Sequence, residues 1–193
     1  MISDYYTLNL NDAIRKISVE GTKGLLSTFS CRPNEDIEKF LKERSIDFSD
    51  KGIARTHLLV RGTGKDIEIL GYYTLSNKIA VIPNGSISNT TRKRLERFGV
   101  LDAKTDSFNV AMPLIAQLGK NYTNDLDKEL EGAELLDVAC KKVAAIQYEL
   151  GGRFLYLECK PESKLIDFYA SSGFRIIEDS KSSIGLSRML LFQ

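Results

Sequence analysis

Apolar positions in this chain fall mostly into short runs, with one long stretch of helical spacing between them. From about Gly132 to Leu150, the residues Leu136, Ala139, Cys140, Val143, Ile146 and Leu150 recur at three- and four-residue intervals, and Gly151-Gly152 follows. That spacing predicts the longest helix of the protein, with one apolar face and a glycine stop. Ile37, Phe40 and Leu41 mark a helix after Phe29-Ser30-Cys31-Arg32-Pro33. Pro33 suits a first helical turn, and Asn34, Glu35 and Asp36 favour the positive end of the helix dipole. Shorter helices are expected from Asn11 to about Val19, broken by Gly21 and Gly24, from Asn89 to Phe98, ended by Gly99, and from about Ser163 to Ser171, closed by Gly173.

Strands are expected at Tyr5 to Leu10, Ala54 to Arg61, Glu68 to Ser76, Val110 to Lys120, Phe154 to Leu157, Phe174 to Ile177 and Leu186 to Phe192. Gly62-Thr63-Gly64-Lys65-Asp66 reads as a hairpin loop, and Pro113 as an edge, a bend or a strand beginning. The segment 77–109 is less regular. The last third alternates strand and helix, which predicts an α+β (α/β) fold: a mixed sheet flanked by helices, in a single domain over 1–193.

Composition narrows the function classes. The 193 residues are 42% hydrophobic and 27% charged, with a net charge of +1. A global polyanion binder is therefore excluded, and any nucleic-acid contact has to come from a local patch. No apolar run approaches the roughly 20 residues that span a bilayer, and the N-terminus carries no secretory pattern. Cys31, Cys140 and Cys159 are widely spaced, and His57 is the sole histidine. These spacings form neither a metal site nor a disulfide framework, and a reduced, cytoplasmic chain is expected.

The chemistry concentrates between Asn109 and Ile177. Leu114-Ile115-Ala116-Gln117-Leu118-Gly119-Lys120 leads through an acidic turn to Glu131-Gly132-Ala133-Glu134-Leu135-Leu136, and Phe168-Tyr169-Ala170-Ser171-Ser172-Gly173-Phe174 follows later. These segments resemble the GNAT superfamily of acyl-CoA-dependent N-acyltransferases, whose FYxxxGF signature the last one is similar to. Phe29 to Leu41 and Gly71-Tyr72-Tyr73-Thr74-Leu75-Ser76 resemble the branch that includes tRNA-acetylating toxins of bacterial toxin–antitoxin pairs.

The resemblance implies a mainly antiparallel sheet with one splayed strand pair and an N-acetyltransferase using acetyl-CoA as cosubstrate, without a metal. It implies that pantetheine adds as a strand along Leu118, Gly119 and Lys120, and that the pyrophosphate sits on the helix opening at Glu131, Gly132 and Ala133. It also implies that Tyr169 gives a proton to the departing CoA thiolate and that the backbone N–H at about Leu118 stabilises the oxyanion. Against the family pattern, Asp127 and Leu130 stand where Gln or Arg and Gly are usual, and only Gly132 matches. Asp125, Asp127, Glu129, Glu131 and Glu134 crowd the expected phosphate site, which costs Coulomb energy unless they point away.

His57, Glu68 and Glu158 are candidate general bases by residue type alone. Of Tyr72 and Tyr73, strand alternation sends one ring to the core and the other toward an acceptor cleft. On the helix from Asn89, Lys93, Arg94 and Arg97 share roughly 100° of arc; with Arg92 they form either a solvated face or an RNA contact. The leading expectation is an enzyme acetylating a small-molecule or protein amine. A toxin-type enzyme acting on aminoacyl-tRNA, and a non-catalytic acyl-CoA-binding or protein-interaction module, are the alternatives. A homodimer is a further expectation.

Overall fold

The computed structural model describes residues 5–181 and 185–193, with all their side chains except those of residues 65 and 178–181. The strands are β1 (Tyr6–Asn9), β2 (Ala54–Arg61), β3 (Glu68–Pro83), β4 (Val100–Asp102), β5 (Ser107–Lys120), β6 (Phe154–Cys159), β7 (Arg175–Lys181) and β8 (Ser187–Phe192). The helices are α1 (Leu10–Ser27), α2 (Glu35–Lys39), α3 (Ser45–Asp50), α4 (Asn89–Leu95), α5 (Gly132–Leu150) and α6 (Ser163–Ser171). The hydrogen-bonded strand order is β1-β2-β3-β5-β6-β8-β7, with β4 on β5. The pairs β1–β2, β2–β3, β4–β5, β6–β8 and β7–β8 run antiparallel, and β5 runs parallel to β6. This is the expected mixed, mainly antiparallel sheet.

The chain divides into two compact units, one of Met1–Ser76 with Ala116–Ala139 and one of Asn77–Ile115 with Cys140–Gln193. In the first, Leu10, Leu25, Leu26, Phe29 and Leu41 pack on Leu58, Val60, Ile69 and Tyr72 of β2 and β3. Asn121 locks the end of β5 into this unit: its side chain donates to the Ile69 carbonyl and accepts from the Ser30 and Thr123 amides. In the second unit, Ala80, Ile82, Leu95, Phe108, Val110, Phe154, Tyr156 and Leu190 form one cluster.

Several local expectations are corrected. α1 runs through Gly21 and Gly24, and its break is at Ser18, with φ 66° and ψ 171°. There the Ser18 hydroxyl accepts from the Gly21 amide and the Ser18 carbonyl accepts from the Thr22 hydroxyl, so a serine caps the second half of the helix. The helix at Ile37 is three short pieces, α2, a π turn over Phe40–Arg44, and α3. The Asn34 side chain caps α2 by accepting from the Asp36 amide.

β3 does not stop at Ser76 but continues to Pro83, because Ala80 and Ile82 keep the period-two burial while Ile79 and Val81 face outward. β5 starts three residues before the expected Val110. Pro113 falls between its residues paired to β4 and those paired to β6, where a missing amide costs no bond in either of these two pairings.

Candidate active site

The parallel ladder between β5 and β6 is short: Leu114 faces Tyr156 and Ile115 faces Leu157. Beyond these pairs β5 runs on for five residues, Ala116 to Lys120, which include the expected contact residues Leu118, Gly119 and Lys120. Leu118 and Lys120 are half-buried and Gly119 is buried. The Lys120 ammonium donates to the Asp127 carbonyl at 2.7 Å, tying the strand end to the following loop. The reason for a glycine at 119 is packing: Ile37 fills the space a Cβ would take.

That loop makes a 3-10 turn over Thr123–Lys128 with Asn124 and Asp125 in the left-handed region, at φ 50° and 61°. α5 then opens at Gly132, where the Leu135 amide donates to the Glu131 carbonyl. Ahead of that bond, the amides of Gly132 and Ala133 have no acceptor among the described residues, the free-donor geometry that makes a helix start an anion site. The acids around it are partly drawn off. Asp125 pairs with Lys128 at 3.2 Å and Glu129 with Arg61 at 3.5 Å. Leu130, where the family pattern has glycine, is fully buried, and the bare Cα of Gly71 makes room for it.

Tyr169 lies on α6 in the second unit, half-buried, with ring contacts to Phe168 and Phe174 at 4.9 and 5.9 Å. Its hydroxyl has no hydrogen-bond partner among the described residues. Burial, with a smaller contribution from Cys159, pushes its pKa up to about 12. The phenol therefore stays protonated across the physiological range.

The three bases suggested by residue type are differently engaged. His57 is buried and stacked on Tyr73, ring centroids 5.0 Å apart. Glu68 accepts from Arg61 at 2.8 Å on the surface. Glu158 belongs to a cluster that sequence reasoning missed. Its Oε1 accepts from Lys78 Nζ and from the Tyr156 hydroxyl, both at 2.6 Å, and Arg188 Nε donates to that same hydroxyl at 2.8 Å. Burial alone raises the Glu158 pKa, but the hydrogen bonds from Lys78 and Tyr156 and the nearby cations outweigh it and hold the group below the usual carboxylate value. Only the i, i+2 spacing of Tyr156 and Glu158 on one strand face hinted at this cluster.

The tyrosine pair is also corrected. Both Tyr72 and Tyr73 are fully buried, so neither ring looks into an open cleft. In α4 and the turn that follows it the basic residues split. The Arg94 guanidinium lies 4.4 Å from the Phe192 ring centroid, while Lys93 and Arg97 stay exposed along a cleft of about 280 Å³. Beside it is a larger cleft of about 710 Å³, whose lining includes Ser88, Thr91, Arg94, Phe154, Arg175 and Phe192.

No protein-family profile and no curated protein matches this sequence. Solved structures do. AtaT complexed with acetyl-methionyl-tRNAfMet superposes with TM-score 0.68 at 20% identity, over 95% of this chain and 94% of that one. A tyrosine-to-phenylalanine variant of KacT gives 0.67 at 23% identity, over 95% and 93%. AtaTR bound with AcCoA gives 0.63 at 20%, over 99% and 94%. The fold is the GNAT one. In this GNAT fold, among the described residues, no group of three or more His, Cys, Asp or Glu side chains is arranged to hold a metal ion, and no helix is long and apolar enough to cross a membrane.

Proposed function

We propose that the protein is a cytoplasmic acetyltransferase that moves the acetyl group of acetyl-CoA directly to an amine. The observation that carries this reading is the two-pair ladder between β5 and β6, after which Ala116–Lys120 continues alone of the two strands' register. In the proposal, the amide groups of pantetheine pair with Leu118, Gly119 and Lys120, as a peptide adds to a sheet edge. The pyrophosphate takes the amides of Glu131, Gly132 and Ala133, with the free donors of Gly132 and Ala133 carrying most of the attraction. The amine attacks the thioester carbon, the C–N bond forms, and the C–S bond breaks. A backbone N–H at about Leu118 donates to the oxygen that gains charge.

Tyr169 donates toward the departing sulfur. With its pKa at about 12, full transfer to a free thiolate of reference pKa near 8.5 is uphill by about three units or more. The hydroxyl therefore acts first as a hydrogen-bond donor while charge develops on sulfur, and hands over its proton as the C–S bond breaks. Calorimetric titration with acetyl-CoA, followed by CoA-thiol release with an amine acceptor, tests the reading. Saturable binding and amine-dependent release are expected, and neither at millimolar acetyl-CoA refutes it.

A second reading makes the amine that of an aminoacyl-tRNA. It is favoured by the likeness to AtaT complexed with acetyl-methionyl-tRNAfMet and by the clefts beside α4, with Lys93, Arg94, Arg97 and Arg175 on their walls. RNA binding that weakens steeply with salt separates it from a small-amine enzyme.

A further inference from the structure

The acceptor side of the reaction has a candidate group in the Lys78–Tyr156–Glu158–Arg188 cluster. Glu158 is the first residue of β6 beyond the last β5–β6 pair, Ile115 with Leu157. Its side chain is 17% exposed, and both hydrogen bonds from Lys78 and Tyr156 end on Oε1. Oε2 accepts from no described residue. The carboxylate is thus held at one oxygen by two donors and offers the other. Three strands build the arrangement: β3 supplies Lys78, β6 supplies Tyr156 and Glu158, and β8 supplies Arg188. These are the titratable and charged groups that face Glu158 among the described residues. The Lys78 ammonium also lies 5.2 Å from the Tyr156 ring centroid, so its position is fixed from two sides.

We propose that Glu158 Oε2 accepts a hydrogen bond from the acceptor amine, and that Lys78 keeps both the carboxylate ionised and the amine neutral. The inference rests on the acetyltransferase reading, with the thioester where the β5–β6 pairing ends. Glu158 is then not a general base. A carboxylate already bonded by an ammonium and a phenol has little proton affinity left. It orients the nitrogen lone pair while Lys78, a cation next to the site, opposes an ammonium form of the substrate, as neighbouring cations lower the pKa of reactive amines. The neutral amine enters from solution and its nitrogen bonds to the acetyl carbon; the C–S bond breaks with the Tyr169 proton going to sulfur, so CoA leaves as the thiol, and the proton released from the new amide nitrogen returns to the Tyr169 oxygen through water.

The test is the pH dependence of kcat with acetyl-CoA and glycinamide, and in a second arm with an aminoacyl-tRNA. For the wild type, the ascending limb is expected close to the value of a free α-amine, about 8, because Lys78 and Glu158 pull in opposite directions. Lys78→Met removes the cation and moves the limb up by about one unit, about a tenfold lower rate below the limb. Lys78→Arg restores the wild-type limb. Glu158→Gln moves it down and raises KM for the acceptor several-fold. The acetyl-CoA-dependent rise in Tm, measured on each variant, reports the fold and the cosubstrate site separately. Unmoved limbs in variants that still bind acetyl-CoA overturn the inference and leave the acetyltransferase reading standing. No turnover with either acceptor, together with no acetyl-CoA binding, overturns both.

Discussion

The hydroxyl of Tyr72 donates to the Ile37 carbonyl at 2.6 Å, whereas that of Tyr73, the next residue on β3, is buried with no hydrogen-bond partner among the described residues. The two phenols differ in chemistry although both rings are fully buried. Tyr72→Phe leaves a carbonyl without its donor and is expected to cost about 1 kcal/mol. Tyr73→Phe removes an unsatisfied oxygen and is expected to be neutral or stabilising by up to about 1 kcal/mol. Urea denaturation of the two single variants measures the opposite signs.

Tyr169→Phe keeps the ring contacts with Phe168 and Phe174 and deletes the donor. An expected loss on the order of 10²-fold in kcat, with acetyl-CoA affinity nearly unchanged, identifies the hydroxyl as the group acting on sulfur. Equal kcat in single-turnover acetyl transfer assigns Tyr169 to packing.

Alkaline pH should unfold the protein through its phenols. Burial raises the pKa of Tyr72, Tyr73 and Tyr156, and brings that of Tyr169 to about 12. In the unfolded chain they ionise near 10. Their contribution to stability is therefore complete below about pH 10 and is lost as pH rises from there toward the folded values. Melting temperature is expected to hold between about pH 8 and 9.5 and to fall above about 10. A flat profile up to about pH 11 contradicts the burial of these groups.

Gly119→Ala places a methyl group where Ile37 already sits. Overpacking of this kind costs about 1–3 kcal/mol. Ile37→Ala destabilises by itself, but the double variant should lose less than the sum of the two. A coupling of about 1 kcal/mol in the double-mutant cycle is the expected result.

The basic residues of α4 and of the turn after it should separate into two behaviours. Arg94→Ala gives up the guanidinium–Phe192 contact and is expected to lower stability by about 0.5–1 kcal/mol. Lys93→Glu with Arg97→Glu, both exposed, should leave Tm unchanged. If the acceptor is RNA, that pair weakens its binding more than tenfold and flattens the salt dependence. Equal RNA binding by wild type and this pair confines α4 to a structural role.

Local periodicity determines most of the elements without reference to any tertiary contact. The helix over Gly132–Leu150 and the strand Ala54–Arg61 follow from apolar spacing and glycine stops, and α6 with Tyr169 follows from a short motif. Such patterns are legible because burial on one face imposes a period on consecutive residues. Tertiary structure decided the rest. Gly21 and Gly24 read as breakers, yet packing of Leu25 and Leu26 keeps them helical and the break moves to Ser18, whose side chain replaces the missing backbone bond. Tyr72 and Tyr73 alternate on the strand, but both faces of β3 are covered, so alternation could not say which ring stays open. Glu158 read as one acid among many, because Lys78 and Arg188 lie 80 and 30 residues from it in the chain. A charge is tuned by whatever the fold brings within hydrogen-bond distance, and that distance is set by strand order, which no local pattern in the sequence encodes.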